Sequence, residues 1–391
     1  MSIFAKAGVI VLKRQSFFTA LLAVSIGAIF LFKSADLGEG IRRGLFLCSH
    51  SVIPSLFPFM ALSVFICKSS AADFFGLVFS PVTRLLKIPK VCGGVLLSAL
   101  IGGYPSAAKC INDLVTEGKI DRKTASKMLC YCVNAGPPFL ISAVGAMGFG
   151  SFNIGLLLFA AQFLSSAIIG AMLSAFSKRT VWKEFAPAKR KSSALCIIES
   201  VTASAESCFR MCAFIILGCG VTELVFGGGI FSVLTKSPLA KALFTGFFEV
   251  TAGTLASAEA EGFYSVIAAG AIASFSGISV MLQVAAIMDK SGIDLVPFLL
   301  SRFVHAGLTA GILRLFFLFF GGAVSAFSVQ GGKTELLLSA SAPAAVSLLC
   351  MASLFLLSFV PAKSEKEPFF SRIKYKFTYF KHSQTKKYVL K

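Results

Sequence analysis

Long stretches of this chain carry no charged side chain. Met128 to Ser177, Gly262 to Met288 and Leu336 to Ala362 contain no Asp, Glu, Lys or Arg. A membrane-spanning helix needs about 20 mainly apolar residues. The first stretch is therefore long enough for a pair of spans, and the other two for one each. Scanning the whole chain this way predicts eight transmembrane helices, near 16–32, 44–67, 128–148, 152–176, 208–231, 263–288, 296–320 and 337–360. Two further apolar stretches do not fit one straight helix. Val91 to Ala108 is uncharged over 18 residues, up to Lys109, but it holds Gly93, Gly94, Gly102, Gly103 and Pro105. Lys236 to Ala258 is short, broken, and carries Glu249 in mid-run. Both are read as re-entrant or discontinuous elements. Asp73 to Leu86 is too broken to span and is read as interfacial or as a short hairpin. The tract Ile53-Pro54-Ser55-Leu56-Phe57-Pro58-Phe59 places two prolines four residues apart, which bends the second helix.

Composition agrees with this pattern and charge orients it. Of 391 residues, 56% are hydrophobic and 14% charged, with 41 Phe, against about 25% charged in an ordinary soluble domain. The net charge of +19 is clumped. Lys178, Arg179, Lys183, Lys189, Arg190 and Lys191 share one short connection, and nine more basic residues lie between Lys363 and Lys391. Basic clusters directly after apolar runs mark cytoplasmic flanks and meet anionic lipid headgroups. Without a recognition motif beside them they do not point to nucleic acid. Lys6, Lys13 and Arg14 precede the first apolar run, which is read as an uncleaved first helix with its start inside. Both termini are then cytoplasmic.

With that orientation the first broken segment enters from the inside and the second from the outside. Each half reads as a helix, a broken segment and two helices, an inverted-topology repeat of the kind many secondary transporters use. Residues 97–105 can be laid over 244–252, and 134–138 then fall near 274–278. The fold class expected is an all-α polytopic membrane protein, with about eight transmembrane helices and two re-entrant or broken segments. Its expected organisation is an N-terminal helix and loop (1–43), a first repeat (44–177), a basic cytoplasmic loop (178–193), a second repeat (194–335), a final transmembrane helix (336–362) and a basic tail (363–391).

Candidate chemistry concentrates at the breaks. Interrupted helices expose backbone groups that membrane depth tolerates only inside protein or beside a wet cavity. A half-helix N-terminus presents free N–H groups that suit an anion. Three breaks qualify: the run Gly102-Gly103-Tyr104-Pro105-Ser106 leading to Lys109, the run Asn134-Ala135-Gly136-Pro137-Pro138, and Ser274-Phe275-Ser276-Gly277. Thr251 and Gln283 supply further polar groups nearby in sequence. Ionisable residues within apolar runs are costly and usually functional; here they are Lys109, Glu249, Arg302, His305 and Arg314. Arg302 and His305 share a helix face and could meet an anionic substrate or pair with Glu249, while Arg302 and Arg314 could equally snorkel from helix ends.

No enzyme motif is present. Gly332-Lys333-Thr334 lacks the upstream glycine of a phosphate loop, three His residues give no metal cluster, and 11 Cys form no CxxC pair. The apolar setting of most cysteines, Cys208 and Cys212 included, reads as packing. No cofactor and no metal are expected, and the chain reads as a transporter rather than an enzyme.

At IPSLFPF (53–59), GGYPSAAK (102–109), NAGPPF (134–139) and RFVHAG (302–307) the sequence resembles the YlbJ (SpoVV) family of sporulation integral membrane proteins. That family carries paired nucleoside-recognition or Gate domains, and the resemblance covers roughly 40–360. One glycine of its GYPxGAK-type motif is replaced here by Ala107. The resemblance implies a role in spore formation and movement of dipicolinic acid from mother cell to forespore across the outer forespore membrane. Lys109 and Arg302 would then face the substrate carboxylates, and Tyr104 its ring. A nucleoside-type permease, and a non-transporting assembly protein of the sporulating membrane, stand as alternatives. Expected partners are the bilayer and a small anionic substrate, with other sporulation membrane proteins or a second copy left open.

Overall fold

The computed structural model describes residues 2–177, 193–227, 237–260 and 262–324. Residues 178–192 of the basic loop, the expected final helix (336–362), the basic tail (363–391) and Gly332-Lys333-Thr334 lie outside these residues. Every regular element among the described residues is helical. In chain order they are α1 (Ser2–Phe32), α2 (Ser34–Leu47), a π-helical turn (Cys48–Val52), α3 (Ile53–Lys68), α4 (Ala71–Val78), α5 (Ser80–Leu85), α6 (Gly93–Thr116) and α7 (Arg122–Cys132). There follow a π-helix (Pro138–Gly148), α8 (Phe152–Ala175), α9 (Ser193–Gly227), α10 (Pro238–Phe248), α11 (Val250–Ser257), α12 (Phe263–Phe275), α13 (Gly277–Met288) and α14 (Val296–Val324).

Burial is inverted relative to a soluble protein. Phe163, Phe209, Leu300, Phe303 and Leu318 face outward, while Gln162, Glu249, Arg302, His305 and Thr309 are buried. Water-soluble folds bury charged side chains only rarely; an apolar exterior around a polar interior suits a lipid environment. By length and composition six segments among the described residues can cross a membrane: 34–68, 90–116, 152–175, 194–226, 263–288 and 296–319.

The segment 90–116 does not cross. Ser98 Oγ lies 3.4 Å from Cys110 Sγ, whereas twelve residues of straight helix would hold them about 18 Å apart. Helix α6 therefore folds back on itself, and the turn is at Gly103, with φ 74° and ψ −169°. This left-handed conformation is open to glycine and disfavoured for other residues. Pro105 then starts the returning limb, where its missing N–H costs nothing. Ser63 of α3 bonds Ser98 and holds the outgoing limb.

The second broken segment folds the same way. A Cβ placed on Gly253 would come within 3.1 Å of the Ala242 carbonyl oxygen, so α10 and α11 run side by side and turn at Glu249. Both elements expected to be re-entrant are helical hairpins.

Two other helices are interrupted without turning back. α7 stops at Cys132, and the chain resumes helical form at Pro138. α12 stops at Phe275, and Ser276 (φ 76°) and Gly277 (φ 70°) lead into α13. Their ends identify two poles of the bundle. At one, Ser126 donates to the Asp294 carbonyl at 2.6 Å, joining the start of α7 to the α13–α14 connection. At the other, Gly148 packs beside Leu255 and Ala258, at the base of the second hairpin. The first hairpin opens toward the former pole and the second toward the latter.

Other predicted boundaries shift outward. The second helix extends from 34 to 68 through the π-helical turn, and the expected helix at 208–231 begins at 193. Asp73 to Leu86 forms the two short helices α4 and α5. Arg43–Glu223 at 3.4 Å and Lys68–Glu199 at 3.5 Å tie α2 and α3 to α9.

Candidate functional site

The two hairpin tips and the two helix interruptions meet. A Cβ on Gly103 would lie 3.3 Å from the Gly136 nitrogen, so the first tip abuts the interruption after α7. A Cβ on Gly277 would lie 3.0 Å from the Gly246 carbonyl and 3.2 Å from the Val250 nitrogen, so the second tip abuts the interruption after α12. Tyr104 joins the two assemblies by donating its hydroxyl hydrogen to the Ala273 carbonyl.

Between them lies a small cavity of about 20 Å³, room for about one water molecule. Gly103, Tyr104, Pro105, Glu249, Thr251 and Gln283, all expected from the sequence, line it. Sequence reasoning missed its apolar wall, formed by Leu56, Met60, Phe139, Met211, Ile215 and Val280. Nothing in an apolar helix marks which of its apolar residues will face a cavity.

Glu249 is the charged member of the wall, and it is fully buried. It also caps α11: its carboxylate accepts from Thr251 N at 3.0 Å and Ala252 N at 2.6 Å. An anionic cap at a helix N-terminus satisfies orphan donors and matches the dipole. The α11 N-terminus thus already holds an anion, supplied by the chain itself.

Arg302 complements this on the other side. Its guanidinium donates to the Val133 carbonyl at 2.7 Å, to the Cys130 carbonyl, and to Ser301 Oγ at 3.4 Å through Nε. Its charge also lies over the Phe298 ring, 4.9 Å from the centroid. Arg302 therefore satisfies the carbonyls freed where α7 stops, and a cation suits a helix C-terminus. It does not line the cavity, and among the described residues no carboxylate pairs with it. Lys109 also lies off the cavity wall, one turn from Asp113 on the returning limb of α6.

The remaining expected residues form a polar seam behind the tips. Ser274 Oγ and Ser165 Oγ both bond Thr309 Oγ1, at 2.8 and 2.7 Å. His305 Nε2–H donates to the Gln162 carbonyl at 3.2 Å. Asn134 donates to the Tyr131 carbonyl at 2.7 Å and to Ser166 at 2.8 Å. Ser276 reaches the Ser274 carbonyl at 3.5 Å, and Ser106 the Gly102 carbonyl at 3.1 Å. Gln162 stands alone as a glutamine in the charge-free stretch 128–177; that isolation was the available signal for it.

The Pro137-Pro138 interruption is a poor anion site. Neither proline has an N–H, and Phe139 N and Leu140 N both bond the Gly136 carbonyl at 3.1 Å. Among the described residues no group of His, Cys, Asp or Glu is arranged to hold a metal ion.

Among the described residues, helices alone, an apolar exterior and interrupted helices converging on a buried polar centre define a polytopic integral membrane protein. Over 332 residues the chain is 26% identical to the sporulation integral membrane protein YlbJ of Bacillus subtilis (strain 168), a match covering 74% of this chain and 81% of that protein. The resemblance read from the motifs is thereby borne out, and the chain is a homologue of that sporulation protein. No family model matches it, and no solved structure does.

Proposed function

We propose that this protein is a secondary transporter, and that it moves dipicolinic acid from the mother cell toward the forespore across the outer forespore membrane. One observation carries the transport reading: two hairpins opening toward opposite poles bring their tips against two interrupted helices around one cavity. In this reading 44–177 and 194–335 are inverted repeats, and rocking one against the other exposes the cavity to each side in turn. The sporulation membrane setting follows the homologue, and dipicolinate follows the family resemblance. The Tyr104 ring offers a stacking face for a planar heteroaromatic acid, and Thr251 and Gln283 offer polar contacts to its edge.

A nucleoside-type permease is the second reading. It is favoured by the cavity wall, which among the described residues includes no cation. One experiment addresses both. Spores of a strain lacking the protein should contain little dipicolinate, and purified protein in vesicles should exchange labelled dipicolinate. Normal spore dipicolinate together with vesicle exchange of labelled nucleoside alone would reverse the order of the two readings.

A further inference from the structure

The cavity presents a small dianion with an unfavourable wall. Its charged member is a carboxylate, and that carboxylate occupies the N–H groups a half-helix would otherwise offer to an anion. Like charges in one water-poor cavity repel strongly. The cations named from the sequence do not relieve this, since Arg302 is engaged with the carbonyls at the end of α7 and Lys109 lies off the wall.

The surroundings of Glu249 make it the group able to change. Its side chain packs against Gly218 of α9. Tyr104 of the first hairpin shares the cavity wall with it, and Cys48 of the π-helical turn and Cys219 of α9 lie within reach of its charge. Beyond Cys219 lie Arg43 and Glu223, which neutralise each other at 3.4 Å. No described cation lies within ion-pairing distance of the Glu249 carboxylate.

We propose that Glu249 is the coupling group of the cavity. An anionic substrate enters together with a proton that converts the Glu249 carboxylate to the acid. Protonation removes the repelling charge. It also weakens the acceptor on Thr251 N and Ala252 N, so these two donors turn to a substrate carboxylate. Substrate binding and proton uptake then favour each other by linkage, and the pair travels as a symport. This rests on the transport reading above and assigns its driving ion.

The test is calorimetric titration of the full chain in detergent with dipicolinate, at alkaline pH where both ligand carboxyls are ionised. Two buffers of different ionisation enthalpy report protons taken up. The wild-type protein should take up about one proton per dipicolinate bound. Glu249→Gln should take up none and bind about tenfold more tightly at that pH, because the charge is already gone. A residue that served only as a helix cap would instead bind more weakly when substituted. Should Glu249→Gln fail to fold, the wild-type protein alone decides: binding without proton uptake overturns the proposal. In vesicles an acid gradient directed with the label should raise accumulation about tenfold, and indifference to the gradient would also overturn it. If the wild-type protein neither binds nor exchanges dipicolinate, the substrate assignment falls and this inference with it.

Discussion

Arg302 shows how a residue's type can be legible while its task is not. A guanidinium within an apolar run is conspicuous, but the sequence left burial and snorkelling from a helix end equally open. Its role depends on which backbone it reaches. The chain spends it on Cys130 and Val133 carbonyls that α7 leaves without donors. Arg302→Leu should therefore cost stability first. Each buried carbonyl left unpaired costs about 1–3 kcal/mol, so thermal unfolding in detergent should fall markedly, with Arg302→Lys in between. An Arg302→Leu protein that melted like wild type yet lost ligand binding would instead make Arg302 a substrate contact. Glu249 is the counterpart: visible in the sequence as a mid-run acid, but revealed as cap and cavity wall only by its partners.

At the scale of the element, the glycine and proline pattern foretold broken segments correctly. Gly102-Gly103 followed by Pro105 gives both the left-handed turn and the restart of a helix. Length and hydropathy alone would count 90–116 as a span, because neither measure registers a single residue at positive φ. The hairpin has a direct chemical check. Ser98→Cys in the full chain should form a disulfide with native Cys110 on mild oxidation, detected by mass spectrometry of digested protein, since the present atoms lie 3.4 Å apart. Failure to crosslink under conditions that oxidise surface thiols would mean that α6 runs straight. The helix expected over 128–148 carried an expected break at Asn134 to Pro138, and the structure divides it there: α7 stops at Cys132 and helical form resumes at Pro138, because Pro137 and Pro138 supply no donors to bridge the gap.

For the molecule as a whole, the contacts between connections provide the sharpest check on topology. The start of α7 meets the α13–α14 connection, and the π-helix end meets the base of the second hairpin. Cysteines placed at Glu117 and Lys290 should react with a membrane-impermeant thiol reagent from one side, and those at Asn153 and Glu259 from the other. All four lie at exposed positions. Labelling of Glu117 and Asn153 positions from the same side would refute the two-pole arrangement.

The sequence by itself determined the helical membrane class, the two segments unable to span, and the pairing of each with a later polar break. These are properties of local composition: charge-free length, backbone-breaking residues and the placement of basic clusters. Tertiary structure alone decided that the four breaks converge, that Glu249 faces the cavity while Arg302 and Lys109 do not, and which apolar side chains form its wall. Those outcomes depend on contacts between residues more than a hundred positions apart, such as Tyr104 with Ala273 and Arg302 with Val133. No local pattern encodes which carbonyl a distant side chain will satisfy.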